Sequence, residues 1–264
     1  MDFEPRQSLF MLMGSHYIPK DNPSIPLGED AHFFSHEAQV IGVADGVGGW
    51  ASKGIDAGEY ARELMRNAAE CVYNSRQHDV DPKRVLLEAY KKTRHAEGSS
   101  TACIVSLAGD LLRAANLGDS GFIVIRRGKI FYKTEAQQCG FNHPYQIGRR
   151  HSKSIGNNPD EAEDIVLVAE VGDVIIVATD GLFDNVFKED IVTMVEFCLK
   201  EKYSPPEVIA YALALAAREK SLQKDTTSPF GVAAREAGVG RHSGGKYDDV
   251  TVVVAYVFYA SQFG

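Results

Sequence analysis

The stretch VADGVGGW (Val43–Trp50) ends an apolar run on a carboxylate, Asp45, and places three glycines among the next four residues. A strand closing on Asp-Gly can be an ordinary solvated turn. It can also deliver an acid to a cleft from which side-chain bulk has been cleared. The rest of the chain decides, because acids recur in similar places. LGEDAHF carries Glu29 and Asp30, NLGDSG carries Asp119, VATDGLFD carries Asp180 and Asp184, and GGKYDDVTV carries Asp248 and Asp249. Four of these five places lie at a strand end beside glycine, and the fifth opens a strand. Acids are expensive to bury unpaired, so their repetition points to one carboxylate-lined cleft.

Carboxylates crowded into one site repel one another unless hard cations neutralise them. An all-oxygen donor set without His or Cys selects Mg²⁺ or Mn²⁺ over zinc. Gly46, Gly48 and Gly49 then have a purpose, since without Cβ atoms the backbone comes close and the Gly46 carbonyl can join the metal shell. A pair of such ions activates water and neutralises a phosphoryl group during in-line displacement.

Around these motifs, strand-like and helix-like stretches come in blocks. SLFMLMGSHY (8–17) and QVIGVAD (39–45) read as strands. Residues 57–75 place Tyr60, Leu64, Met65, Ala68 and Cys71 at three- and four-residue steps, which predicts an amphipathic helix. DPKRVLLEAYKKTR follows, with Asp81 as its cap and Pro82 at the first helical position. Four short strands from Ser100 to Thr134 are joined by hairpin-like turns at Gly109-Asp110, GDSG (118–121) and RGK (127–129). Residues 135–164 read as a long surface loop. Strands DIVLVAE and DVIIVATDG, helices KEDIVTMVEFCLKE and SPPEVIAYALALAAREKSLQ, and a last strand DDVTVVVAYVF complete the chain. The pattern predicts an α+β fold of two sheets packed together with helices outside.

The 264 residues carry a net charge of −8 with no dense Lys/Arg run, which argues against a nucleic-acid partner. Four scattered cysteines, without a C-x-x-C pair, argue against zinc and a disulfide framework. The longest apolar run, Val250 to Ala260, is too short to span a bilayer. The first residues do not form a basic targeting helix, so either the protein is cytosolic or a leader has been removed.

GEDA, ADGVGG, GSSTA, ANLGDSGF, ATDGLFDN and GGKYDDVTV occur in the order and spacing of the metal-dependent protein phosphatases of the 2C type. The resemblance runs from about Ser8 to Tyr256, and DGVGGW and FDN resemble the organellar branch. It implies one catalytic domain over 1–264, a four-layer α-β-β-α sandwich of mostly antiparallel sheets, and a binuclear Mn²⁺ or Mg²⁺ site at one edge. It implies hydrolysis of phosphoserine and phosphothreonine in proteins by a metal-activated water, without a phosphoenzyme. By the same resemblance Asp45 bridges two ions, with the Gly46 carbonyl on one, and Asp180 and Asp248 complete the other. Glu29 and Asp30 hold metal-bound waters, and Asp119 and Asp184 match a third, weaker site. Asp249 stands where many relatives have Asn and is given a supporting role. A phosphoprotein partner, a monomer without membrane insertion, and a chloroplast or mitochondrial address after loss of a transit peptide are expected.

Two positions depart from the wider family. Val47 replaces a His that serves as candidate acid for the leaving oxygen, and Ile25 replaces an Arg that holds phosphate. A metal-bound water or a nearby histidine such as His32 is the candidate substitute for the first, Lys20 or a loop arginine for the second. Cys103 reads as core and Trp50 as a packing anchor. GRRH (148–151) reads as a solvated loop that could grip a phosphopeptide, and His143 and His151 as surface residues. Val43, where the nucleophile of a covalent aspartyl phosphatase would fall, argues against that mechanism. The remaining alternative is an inactive phosphatase-fold scaffold that binds a phosphoprotein.

Overall fold

The computed structural model describes residues 8–75, 79–151, 153–200, 204–239 and 243–259. The chain begins with β1 (Leu9–Ile18), β2 (Asp30–Ser35), β3 (Val40–Asp45), α1 (Ala57–Tyr73) and α2 (Pro82–Lys92). It continues through β4 (Gly98–Ser100), β5 (Ala102–Ala108), β6 (Leu111–Leu117), β7 (Gly121–Arg126), β8 (Lys129–Lys133), β9 (Ile147–Arg150) and β10 (Lys153–Gly156). Then follow β11 (Glu163–Val168), β12 (Val174–Ala178), α3 (Asp180–Phe183), α4 (Lys188–Lys200), α5 (Pro206–Ser221), α6 (Pro229–Glu236) and β13 (Val250–Tyr259).

Two antiparallel five-stranded sheets form the centre, in the orders β1-β13-β12-β7-β8 and β11-β6-β5-β3-β2. Strand β13 shows why its sequence is apolar almost throughout. Val253, Ala255 and Val257 enter the core between the sheets, while Val252, Val254 and Tyr256 enter the core under α4 and α5. Strand β5 divides in the same way, with Cys103, Val105 and Leu107 between the sheets and Ala102 and Ile104 under α1 and α2. A strand buried on both faces cannot alternate with polar residues. Three cores therefore separate four layers, as the α-β-β-α reading requires.

Helix α1 starts where Asp56 accepts a hydrogen bond from the Gly58 amide, and it buries Tyr60, Leu64 and Ala68 at four-residue steps. Helix α2 starts on Asp81, which accepts from the amides of Lys83 and Arg84, with Pro82 at its first position.

Several expectations change. The stretch 135–164 is not one loop: β9 and β10 pair with each other and β9 with β4, giving a three-stranded sheet whose Ile147 is fully buried. Gly148–Arg150 of GRRH thus lie on β9, where the Arg149 guanidinium stacks 4.5 Å from the Tyr90 ring centre, and His151 follows in a turn. GDSG is not a hairpin, because β6 and β7 belong to different sheets and the chain crosses the sandwich there. Strand β2 and helix α6 were not expected from periodicity. Strand β12 stops at Ala178, and Asp180 opens α3 rather than ending the strand.

Candidate metal centre

The acids gather where strand ends of both sheets meet. Asp30 opens β2 directly opposite Asp45, which closes β3. From the other sheet come Asp180, just after β12, and Asp248 and Asp249, just before β13. Asp119 lies in the crossing from β6 to β7, and Asp184 follows α3.

Backbone and hydroxyl contacts hold this edge together. Asp30 Oδ2 accepts the hydroxyls of Thr179 and Thr251, each at 2.8 Å, so an acid of one sheet is tied to two residues of the other. The Asp45 amide donates to Thr101 Oγ1 at 3.1 Å, and the Asp45 carbonyl accepts the Thr101 amide at 2.9 Å. Asp249 is buried and anchors the loop before β2. Its Oδ1 accepts the Tyr17 hydroxyl (2.9 Å) and the Lys20 amide (2.8 Å), and its Oδ2 accepts the Glu29 amide (3.1 Å).

The glycines differ in what they clear. A Cβ on Gly46 would stand 2.7 Å from the carbonyl oxygens of both Ala57 and Glu29, and one on Gly48 would stand 3.0 Å from Glu29 Oε2. Nothing lies within 4 Å of a Cβ on Gly49, so that glycine does not serve close approach.

Electrostatic strain in the cluster is high. Burial, then Asp180, Asp30 and Asp248, hold the Asp45 carboxyl well above the usual carboxylate range. Burial and Asp249 do the same to Asp30, and burial and Asp180 raise Asp248. Burial with neighbouring acids pushes Asp119 to about 7, and burial and Asp249 push Glu29 to about 7. Asp184 also reaches about 7, raised by burial and Asp180 against the opposing pull of Lys246. The ammonium of Lys246 contacts Asp180 and lies 2.9 Å from Asp184 and 3.3 Å from Asp248. Lys20 Nζ stands 3.5 Å from Asp248 at the rim.

Glu29 Oε1, Asp30 Oδ1, Asp119 Oδ1 and Asp180 Oδ1 are buried with no hydrogen-bond partner. Unpartnered carboxylate oxygens in an all-oxygen set suit a hard cation. Among the described residues no three His, Cys, Asp or Glu side chains form a ready metal cage; the Lys246 ammonium stands among three of the acids.

Other candidates fall away from this edge. His32 Nε2 is bonded to Ser15 Oγ at 3.0 Å, and burial lowers its basicity. Cys103 is fully buried on β5, and burial pushes its thiol up. The Trp50 indole is buried and donates to Ser99 Oγ at 2.6 Å, a packing anchor as read. His151 pairs with Glu97 and His143 with the Phe141 carbonyl, both exposed. Residue-by-residue reading missed Lys246, Asn185, Thr179 and Thr251. The signal for Lys246 was available: a lone lysine inside an acid-rich motif.

No family model matches the chain. It is 43% identical over 256 residues to "Probable protein phosphatase 2C 55" of Arabidopsis thaliana, a match covering 97% of this chain and 54% of that protein. A solved structure titled as the photosystem II phosphatase PBCP shares 32% identity with a TM-score of 0.86, covering 94% of this chain and 99% of the other. The chain belongs to the protein phosphatase 2C family. It spans about half the length of the plant protein phosphatase 2C relatives it matches. The catalytic domain of PstP, solved with two manganese ions, shares this 2C fold at 17% identity and a TM-score of 0.62, covering 95% of this chain and 99% of that one.

Proposed function

We propose that this protein phosphatase 2C member is an Mn²⁺- or Mg²⁺-dependent phosphatase acting on phosphoserine and phosphothreonine in proteins. The observation that carries this reading is the set of buried, unpartnered carboxylate oxygens where the two sheets meet. Asp45 would bridge two ions with the Gly46 carbonyl on one of them, and Asp180 and Asp248 would complete the other. Glu29 and Asp30 would support those ions through water, and Asp119 and Asp184 would hold a third, weaker ion. When bound, such ions activate water and neutralise the phosphoryl group undergoing displacement.

The chain's own residues do the rest. Lys20, at the rim and 36% exposed in its side chain, is positioned to meet a substrate phosphate that Ile25 cannot hold. Thr179 and Thr251 keep Asp30 turned between the sheets, and Asp249 fixes the loop bearing Glu29. Val47, half-buried beside Asp45, has no proton to give the leaving oxygen, and the Nε2 of His32 is engaged by Ser15 Oγ. A single domain, a monomer and a chloroplast or mitochondrial compartment belong to the same reading; likeness to the photosystem II phosphatase supports the organellar part.

The test is hydrolysis of an aryl phosphate and a phosphothreonine peptide, with and without Mn²⁺, in the presence of okadaic-acid-type inhibitors. Metal-requiring, inhibitor-resistant turnover of both is expected. Binding of the phosphopeptide without turnover at saturating Mn²⁺ would instead make the protein a scaffold.

A further inference from the structure

The acidic edge contains a cation that its residue types do not require. Lys246 sits two positions before Asp248, with only 16% of its side chain exposed. Its ammonium contacts Asp180 and lies 2.9 Å from Asp184 and 3.3 Å from Asp248. It also stands 5.6 Å from the ring centre of Phe230. A surface lysine would snorkel to water; this one is directed inward by its backbone.

The fully buried Asn185 grips that backbone from both sides. Its Oδ1 accepts the Lys246 amide at 2.9 Å, and its Nδ2 donates to the Lys246 carbonyl at 2.9 Å and to the Gly181 carbonyl at 2.9 Å. The preceding turn is equally constrained. Gly244 has φ +97° and donates to the Thr226 carbonyl, and its own carbonyl accepts Ser228 Oγ at 2.7 Å. A Cβ on Gly245 would lie 2.3 Å from the Lys220 carbonyl oxygen. The motif ATDGLFDN therefore supplies two of the lysine's partners, Asp180 and Asp184, and the amide that aims it.

We propose that Lys246 is a built-in counter-cation of the acidic edge. Its ammonium holds Asp180, Asp184 and Asp248 together while no divalent ion is bound, and ions entering at those acids must displace it. Lys246 thus lowers the affinity of the site for metal while it stabilises the metal-free chain. The inference rests on the metal-dependent reading above. A unit charge a few ångströms from a carboxylate is a large effect even under strong screening, so competition between ammonium and ion is unavoidable.

The experiment is Mn²⁺ titration by calorimetry and thermal melting of the metal-free chain at pH 8, for the unaltered protein, Lys246→Met and Lys246→Arg. Lys246→Met should bind Mn²⁺ at least ~10-fold more tightly. Its metal-free melting temperature should fall by more than about 4 °C. Lys246→Arg, which keeps the charge, should stay close to the unaltered protein in both readings. A lysine that merely supported the fold would weaken metal binding when removed. Equal or weaker binding by Lys246→Met, with normal binding by the unaltered protein, overturns the counter-cation role alone. Should Lys246→Met not fold without metal, a gain in Mn²⁺ affinity by Lys246→Arg overturns the role as well, and unchanged affinity supports it. Absence of Mn²⁺ binding by the unaltered protein overturns the metal reading and this inference with it.

Discussion

Asp45 and Asp180 share one cluster but face different neighbours. The carboxylate of Asp45 is crowded by Asp180, Asp30 and Asp248, whereas Asp180 touches the ammonium of Lys246. Relieving repulsion stabilises and removing an ion-pair partner does not. Asp45→Asn should therefore raise the metal-free melting temperature by about 2–4 °C, the shift that ~1 kcal/mol produces in a domain of this size. Asp180→Asn should lower it, while both variants lose Mn²⁺-dependent turnover; scanning calorimetry beside a phosphothreonine-peptide assay checks both. Val47 invites a second substitution. His32, the candidate substitute acid, has its Nε2 bonded to Ser15 Oγ. Val47→His should then raise peptide turnover, by up to ~100-fold, while aryl phosphate hydrolysis, whose leaving group needs little proton help, stays nearly constant. A parallel change in both substrates would show that position 47 acts on the metal site instead.

Short elements show where local preference yields to packing. Gly181 lies on α3, where alanine is intrinsically the better helix former by about 1 kcal/mol. A Cβ there would stand 1.8 Å from the Asp249 carbonyl oxygen, a backbone atom that cannot move without disturbing the start of β13. Gly181→Ala should cost more than ~3 kcal/mol and move the denaturant midpoint accordingly, against nearly no change for Gly49→Ala, which meets open space. Both glycines stand beside an acid motif in the sequence, and nothing there separates them. The crossing at GDSG teaches the same lesson. A tight hairpin and a switch between sheets both call for glycine, and β6 and β7 are apolar enough for either.

Across the whole molecule the acids set a dependence on pH. Asp119, Asp184 and Glu29 are each raised to about 7, well above the ordinary carboxylate value near 4. Between those limits the folded chain binds protons that the unfolded chain has already released, so stability falls as pH rises through that window. The metal-free melting temperature should drop from pH 5 to pH 8, and added Mn²⁺ should recover more of it at pH 8 than at pH 5. Calorimetric scans at the two pH values, with and without metal, measure this. A flat metal-free profile would mean that the acids are neither as buried nor as crowded as the structure places them.

The sequence by itself determined the layers and the acids. Near-continuous apolar, β-branched runs such as VTVVVAYVFY fit strands covered on both faces, and the Asp-Gly strand ends mark one carboxylate-rich edge. Periodicity and spacing report on neighbours along the chain, so they place Asp45, Asp180 and Asp248 at strand ends without saying which other groups meet them there. Only the tertiary structure decided that Thr179 and Thr251 bind Asp30 across the sheets, that residues 135–164 contribute a third sheet, and that His32 is held by Ser15. It alone turned Lys246 inward, because that direction is imposed by Asn185, which lies 61 positions away in the chain.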